Sequence, residues 1–196
     1  MYGVCEKATD LMVRNEIISS EDREIYVYGL KQGLILLINI LTTLLIGFAF
    51  NKTTETIVFL ASYIPLRVYA GGYHARTQMG CYIFSIVMII SVLLAIEFIP
   101  WTNFICITIS VISALIIFFL SPVEDTNKPL DAAEVKVYGK KARIILGLEL
   151  GVLVLFMIFG IGRIVTSISL SLVVLVFMLV VRIIFKKLGV EKGGVF

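Results

Sequence analysis

The sequence predicts an all-α polytopic membrane protein with about six transmembrane helices, the second short or irregular, preceded by an N-terminal amphipathic helix at the interface. Three observations lead there. Of the 196 residues, 59% are hydrophobic and only 16% are charged, whereas soluble domains carry about a quarter charged residues. Apolar runs long enough to cross a ~30 Å hydrocarbon core, which takes about 20 residues at ~1.5 Å each, recur along the chain. Finally, Lys and Arg gather in alternate connections between those runs. The chain is too short for several soluble domains beside its spans, so one membrane-embedded domain over residues 1–196 is expected. A net charge of +3 with no dense basic face argues against a nucleic-acid partner.

Met1 to Asp10 lacks a basic-then-apolar pattern, because Glu6 and Asp10 interrupt it, and no cleaved signal peptide is expected. Over residues 8–30, Leu11, Val13, Ile17, Ile18, Ile25 and Val27 alternate with charged residues such as Arg14, Glu16 and Asp22. Residues 1–30 are therefore expected along the cytoplasmic face and residues 31–196 in the membrane. A cytosolic capping helix that touches no lipid is the plainer alternative.

Leu34–Phe50, Tyr82–Ile99, Phe104–Leu120 and Ile164–Phe185 each read as a spanning helix, and so does Ile144–Ile161 despite Glu149 inside it. Thr56–Leu66 is shorter and runs into Arg67, Gly71, Gly72 and His74, so it is expected to cross with an irregular, protein-buried end. Six crossings put every Lys and Arg except Lys52 and Arg163 on one side of the membrane. By the positive-inside rule that side is the cytoplasm, and it holds both termini.

The segment Arg67 to Cys81 is polar where its surroundings are apolar. It holds the only histidine, His74, one of three cysteines, Cys81, two arginines, and Gly71, Gly72 and Gly80. Polar groups at a membrane edge are costly unless paired or wetted, which makes them functional candidates. A cysteine attacks as its thiolate, and an imidazole can take the thiol proton near neutral pH. His74 as an interfacial hydrogen-bonder and Cys81 as a small buried residue are the bland readings. Geometry separates these readings. Seven residues of continuous helix would hold the pair about 10 Å apart, beyond the roughly 3–4 Å that a base needs. A dyad therefore requires a backbone break, for which Gly71, Gly72 and Gly80 are suited. The expected helix begins near Gly80 or Cys81, where its dipole favours a thiolate, with His74 on a preceding turn or loop.

These residues resemble the accessory gene regulator protein B (AgrB) family, the membrane endopeptidases of Gram-positive quorum sensing. The resemblance lies in Arg67, in Ala-Gly-Gly-Tyr-His-Ala at 70–75 with Cys81 seven residues after His74, and in Asn127-Lys128-Pro129-Leu130 following Ser121-Pro122. Size, hydropathy and the amphipathic start agree, so it covers nearly the whole chain. It implies that Cys81 is the nucleophile and His74 the general base. It implies as substrate a precursor peptide of the AgrD type, cut before its acidic C-terminal segment. The acyl group would then pass to a cysteine within the peptide, closing a cyclic thiolactone, the autoinducing peptide. A homodimer in the cell membrane of a Gram-positive bacterium is implied as well, with the active site at the cytoplasmic face.

Several other residues are candidates. Arg67 would bind a substrate carboxylate or stabilise developing negative charge, unless it merely snorkels to the interface. Gln78 could donate to an oxyanion. Lys128 and the Lys140, Lys141 and Arg143 cluster could bind the acidic part of the peptide, although topology explains that cluster equally well. Glu149 is costly inside its span unless protonated, paired or wetted, and a basic residue near the dyad, or Lys140 or Lys141, could pair with it. Cys106 reads as packing and Cys5 as an inert thiol. No metal-ligand cluster, cofactor motif or acidic third member of a triad is evident. Two rivals remain: a non-enzymatic small peptide exporter or membrane scaffold with a re-entrant break, and a lipid acyltransferase that keeps the nucleophile.

Overall fold

The computed structural model describes residues 2–73, 77–124 and 131–188. Its regular structure there is helical: α1 (Tyr2–Arg14), α2 (Arg23–Ala49), α3 (Thr53–Ala70), α4 (Gln78–Phe98), α5 (Asn103–Leu120), α6 (Ala132–Ile158) and α7 (Gly162–Lys187). Of these, α2, α4, α5 and α7 are long and apolar enough to cross a membrane. They coincide with four of the runs expected from hydropathy. The chain divides into two compact units, Met1–Leu45 and Ile46–Phe196.

In the first unit α1 is the amphipathic helix, and it stops at Arg14 rather than continuing to residue 30. Glu16 takes a left-handed φ of 55°, and Ser19 receives the Asp22 N–H at 3.2 Å. From Arg23 the chain is already α2, well before Leu34 where the apolar run begins. Once a turn exists, each added residue gains a hydrogen bond at little cost, so the helix extends through the polar Lys31–Gln32 stretch. Arg23 closes back on Asp10 at 2.8 Å, an exposed pair of modest worth. Cys5 is buried, with its carbonyl accepting from the Thr9 hydroxyl at 2.9 Å.

The second unit is built around α7, which packs against α3, α4, α5 and α6. Half of its apolar span is buried, against 17% for α4 and 28% for α5. Small hydroxyl residues make this close packing feasible between apolar helices. Ser171 meets Ser62 of α3 at 2.7 Å, and Ser169 meets Ser110 of α5 at 2.9 Å. Cys106 packs its sulfur on the Thr166 hydroxyl at 3.7 Å, in keeping with a packing role. Phe59, Leu66, Leu93, Ile117, Leu172 and Leu179 fill the space between.

Two helices differ from expectation. α3 runs from Thr53 to Ala70, longer than Thr56–Leu66, and its 18 residues reach about 27 Å at the helical rise. α6 starts at Ala132 instead of Ile144, so Lys136, Lys140, Lys141 and Arg143 lie on helix rather than in a loop. A capping box nucleates it: Asp131 accepts the Glu134 N–H at 2.7 Å, and Glu134 accepts the Asp131 N–H at 3.2 Å.

Candidate active site

The break demanded by a His74–Cys81 dyad is present. α3 stops at Ala70, and Gly71 and Gly72 follow with φ of 80° and 127°. Gly71, with ψ of −153°, occupies a region open essentially to glycine alone. A Cβ there would strike the Val123 carbonyl, and one on Gly72 would strike the Arg67 guanidinium. The chain restarts as α4 at Gln78, after Thr77 in extended conformation takes the Gly80 N–H on its hydroxyl at 3.0 Å. Cys81 therefore sits in the first turn of α4, its N–H bonded to the Thr77 carbonyl at 3.0 Å. Cys81 thus lies near the positive end of the α4 dipole. Gly80 donates to the cap and belongs to the helix, so among the described residues the glycines of the break are Gly71 and Gly72.

His74 lies outside the described residues, as do Ala75 and Arg76, but Tyr73 before it is placed. The Tyr73 N–H donates to the Met178 carbonyl of α7 at 3.1 Å. Its ring packs on Phe84 of α4 and Phe185 of α7, at centroid distances of 6.3 and 5.3 Å. Phe84 follows Cys81 by three residues, which on a helix puts the two side chains on neighbouring positions of one face. The residue preceding His74 is thus held against the part of α4 that carries Cys81.

Arg67, expected as a cation beside the dyad, is engaged with the turn itself. Its guanidinium donates to the Gly71 carbonyl at 2.8 Å and to the Tyr73 carbonyl, clamping the turn from both ends. A second clamp comes from residues that no sequence pattern picked out. Val123 bridges to Gly71 in parallel and donates its N–H to the Ala70 carbonyl at 2.9 Å. Buried Arg182 of α7 in turn donates to the Glu124 carbonyl at 3.1 Å. These contacts join segments distant in sequence, and only Tyr73, inside the glycine–histidine motif, had a local signal.

The remaining candidates are scattered. Gln78 is exposed at the first position of α4. Lys128 lies outside the described residues. Lys140 is exposed, Lys141 stands over the Tyr69 ring at 5.1 Å, and Arg143 stands over Phe118 at 4.8 Å. Glu149 pairs with neither Lys140 nor Lys141: both its carboxyl oxygens are buried without a hydrogen-bond partner. On α6 it lies two turns or more from those lysines, about 12 Å along the axis from Lys141, too far for a lysine stem that is already spread on Tyr69.

Seven helices, four of them long and apolar enough to cross a bilayer, define a multi-pass membrane protein among the described residues. The family model for accessory gene regulator B (AgrB) matches residues 5–180, and the chain belongs to that family. Among curated proteins it is similar to two candidate AgrB-like proteins of Clostridium perfringens. One, from strain 13, is 33% identical over 132 residues, which is 64% of this chain and 62% of that protein. The other, from strain SM101, is 32% identical over the same shares. A candidate AgrB-like protein of Clostridium acetobutylicum is 28% identical over 54% of this chain and 51% of its own length. The chain thus aligns with less than two thirds of each of these relatives. No solved structure matches it.

Proposed function

We propose that this protein is a membrane cysteine endopeptidase that removes the C-terminal segment of an AgrD-like precursor peptide and closes the remainder into a cyclic thiolactone. The observation that carries this reading is the helix break. Cys81 stands in the first turn of α4, and the residue before His74 is packed on Phe84 of the same helix face. Family membership supplies the substrate class.

In this mechanism the Cys81 sulfur attacks the scissile carbonyl carbon while the thiol proton passes to the His74 imidazole. The C–N bond then breaks, the imidazolium returns the proton to the departing amine, and the peptide is left as a thioester on Cys81. A cysteine of the peptide attacks that thioester, its proton passes to His74, and Cys81 leaves to be reprotonated. Thioester exchange keeps most of the acyl energy, which hydrolysis would dissipate. A membrane-edge site that holds the internal thiol close and limits water favours the exchange. Gln78 at the start of α4 is assigned to the oxyanion, and Lys128 with the Lys140–Arg143 stretch to the acidic segment of the peptide.

The same proposal includes six crossings within one membrane domain, α3 and α6 added to the four apolar helices, with the termini and the dyad in the cytoplasm. The contacts among Gly71, Val123, Glu124 and Arg182 support it, since they bring together three of the basic connections that the charge pattern assigns to one side. Co-expression with an AgrD-like precursor peptide tests the chemistry. Cys81→Ser and His74→Ala should each abolish cleavage while leaving the protein in the membrane. Persistent cleavage in either would end the dyad model, and an unreactive Cys81 that labels no faster than Cys5 would favour an exporter or scaffold.

A further inference from the structure

A groove of about 300 Å³ runs between α3 and α6, lined by Ser62 and Pro65 on one side and Ile145, Leu148, Glu149 and Val152 on the other. Its lining is apolar apart from Ser62 and Glu149. Both Glu149 oxygens are buried and accept no hydrogen bond of ordinary geometry. Ser62 is the polar neighbour, and its hydroxyl is shared between Ser171 at 2.7 Å and the Glu149 carboxyl beside it. Pro65 has no N–H to offer the Ala61 carbonyl, a second acceptor without a helical donor among the groove residues. The groove therefore presents acceptors and an acid in an apolar setting, with the Ser62 hydroxyl as the one side-chain donor in its lining. Such a carboxyl is costly until a further donor arrives, and the donor with most to offer is a cation on an apolar stem.

We propose that this groove seats an apolar, membrane-embedded stretch of the peptide substrate, with Glu149 as counter-ion to one Lys or Arg in that stretch. The inference rests on the peptidase reading above and names how its substrate is held. Position favours a peptide over an aminolipid. Ser62 precedes Ala70 by eight residues, about 12 Å along the helix from the candidate catalytic turn. A lipid ammonium is tied to its phosphate at the bilayer surface, whereas a side chain on an embedded peptide reaches that depth. The groove also ends at Pro65, two residues from Arg67, so a peptide lying in it leads towards the turn that Arg67 clamps.

The test uses the full-length protein in phosphatidylcholine nanodiscs and two fluorescent probes, acetyl-Leu-Leu-Lys-Leu-Leu-amide and its norleucine twin. The wild type should bind the lysine probe roughly tenfold more tightly than the norleucine probe. Glu149→Gln, which preserves shape, should bind the two equally, and Glu149→Asp should retain a preference. Absence of the preference in the wild type, or its persistence in Glu149→Gln, overturns the assignment. Displacement of the lysine probe by phosphatidylethanolamine nanodisc lipid would transfer the groove to an aminolipid and overturn it equally. Cys81→Ser should keep the preference, since binding does not need the dyad. Loss of the preference with cleavage intact removes the groove alone, whereas cleavage persisting in Cys81→Ser removes the peptidase reading and leaves the binding result standing.

Discussion

Replacing Gly71 by alanine should abolish cleavage without removing the protein from the membrane. Gly71 has φ of 80° and ψ of −153°, and a Cβ there would run into the Val123 carbonyl. The backbone term is about 1–3 kcal/mol, and crowding into packed backbone adds about 1–3 kcal/mol. Even at a combined 2 kcal/mol, a relaxed turn would outweigh the original by roughly thirtyfold. The original turn is what presents Tyr73, and with it the start of the His74 segment, to the face of α4 bearing Cys81. A displacement of about 1 Å in such a constellation costs on the order of 100-fold in rate. The assay is conversion of the precursor peptide in membranes, normalised to inserted protein. Gly151→Ala is the matched control, because that helical glycine has nothing within 4 Å of a new Cβ. Full activity in Gly71→Ala, at equal insertion, would refute the idea that this turn positions the dyad.

Other substitutions probe the same framework. Arg67→Lys keeps the charge but lacks the planar fork that reaches both the Gly71 and Tyr73 carbonyls; cleavage should fall roughly tenfold or more, and restoration by lysine would mean that charge alone matters. Thr77→Val removes the cap of α4, worth about 1 kcal/mol, and should slow alkylation of Cys81 and cleavage together, with Thr77→Ser restoring both. A double-mutant cycle on Ser62→Ala and Ser171→Ala, read by unfolding in bicelles, should give a coupling of about 0.6 kcal/mol, the usual size for hydroxyl pairs between membrane helices. A coupling indistinguishable from zero would reduce that contact to shape complementarity.

Hydropathy located α4, α5 and α7 closely, and the C-terminal end of α2, because in lipid a long apolar run has essentially one way to satisfy its backbone. It failed at the start of α6, where the charges on Lys136, Lys140, Lys141 and Arg143 suggested a loop. The Asp131–Glu134 capping box was the overlooked local signal. It failed likewise at the start of α2, where helix propagation carries through residues too polar to register as a span.

For the site, residue types and spacing were enough to require a break between His74 and Cys81, since a continuous helix cannot bring positions seven apart into contact. Which glycines make that break was a tertiary matter. Gly71 and Gly72 turn the chain because Val123 and the Arg67 guanidinium press against them, while Gly80 is drawn into α4 by the Thr77 cap. The unmatched Glu149 and the buried clamp of Arg182 on Glu124 were equally beyond local pattern. The sequence by itself determined the membrane class and the main spans and singled out His74 and Cys81 as a candidate pair, because these follow from composition and from reach along one chain. The tertiary structure decided which groups support that pair, because their partners are set by helix packing between residues far apart in sequence.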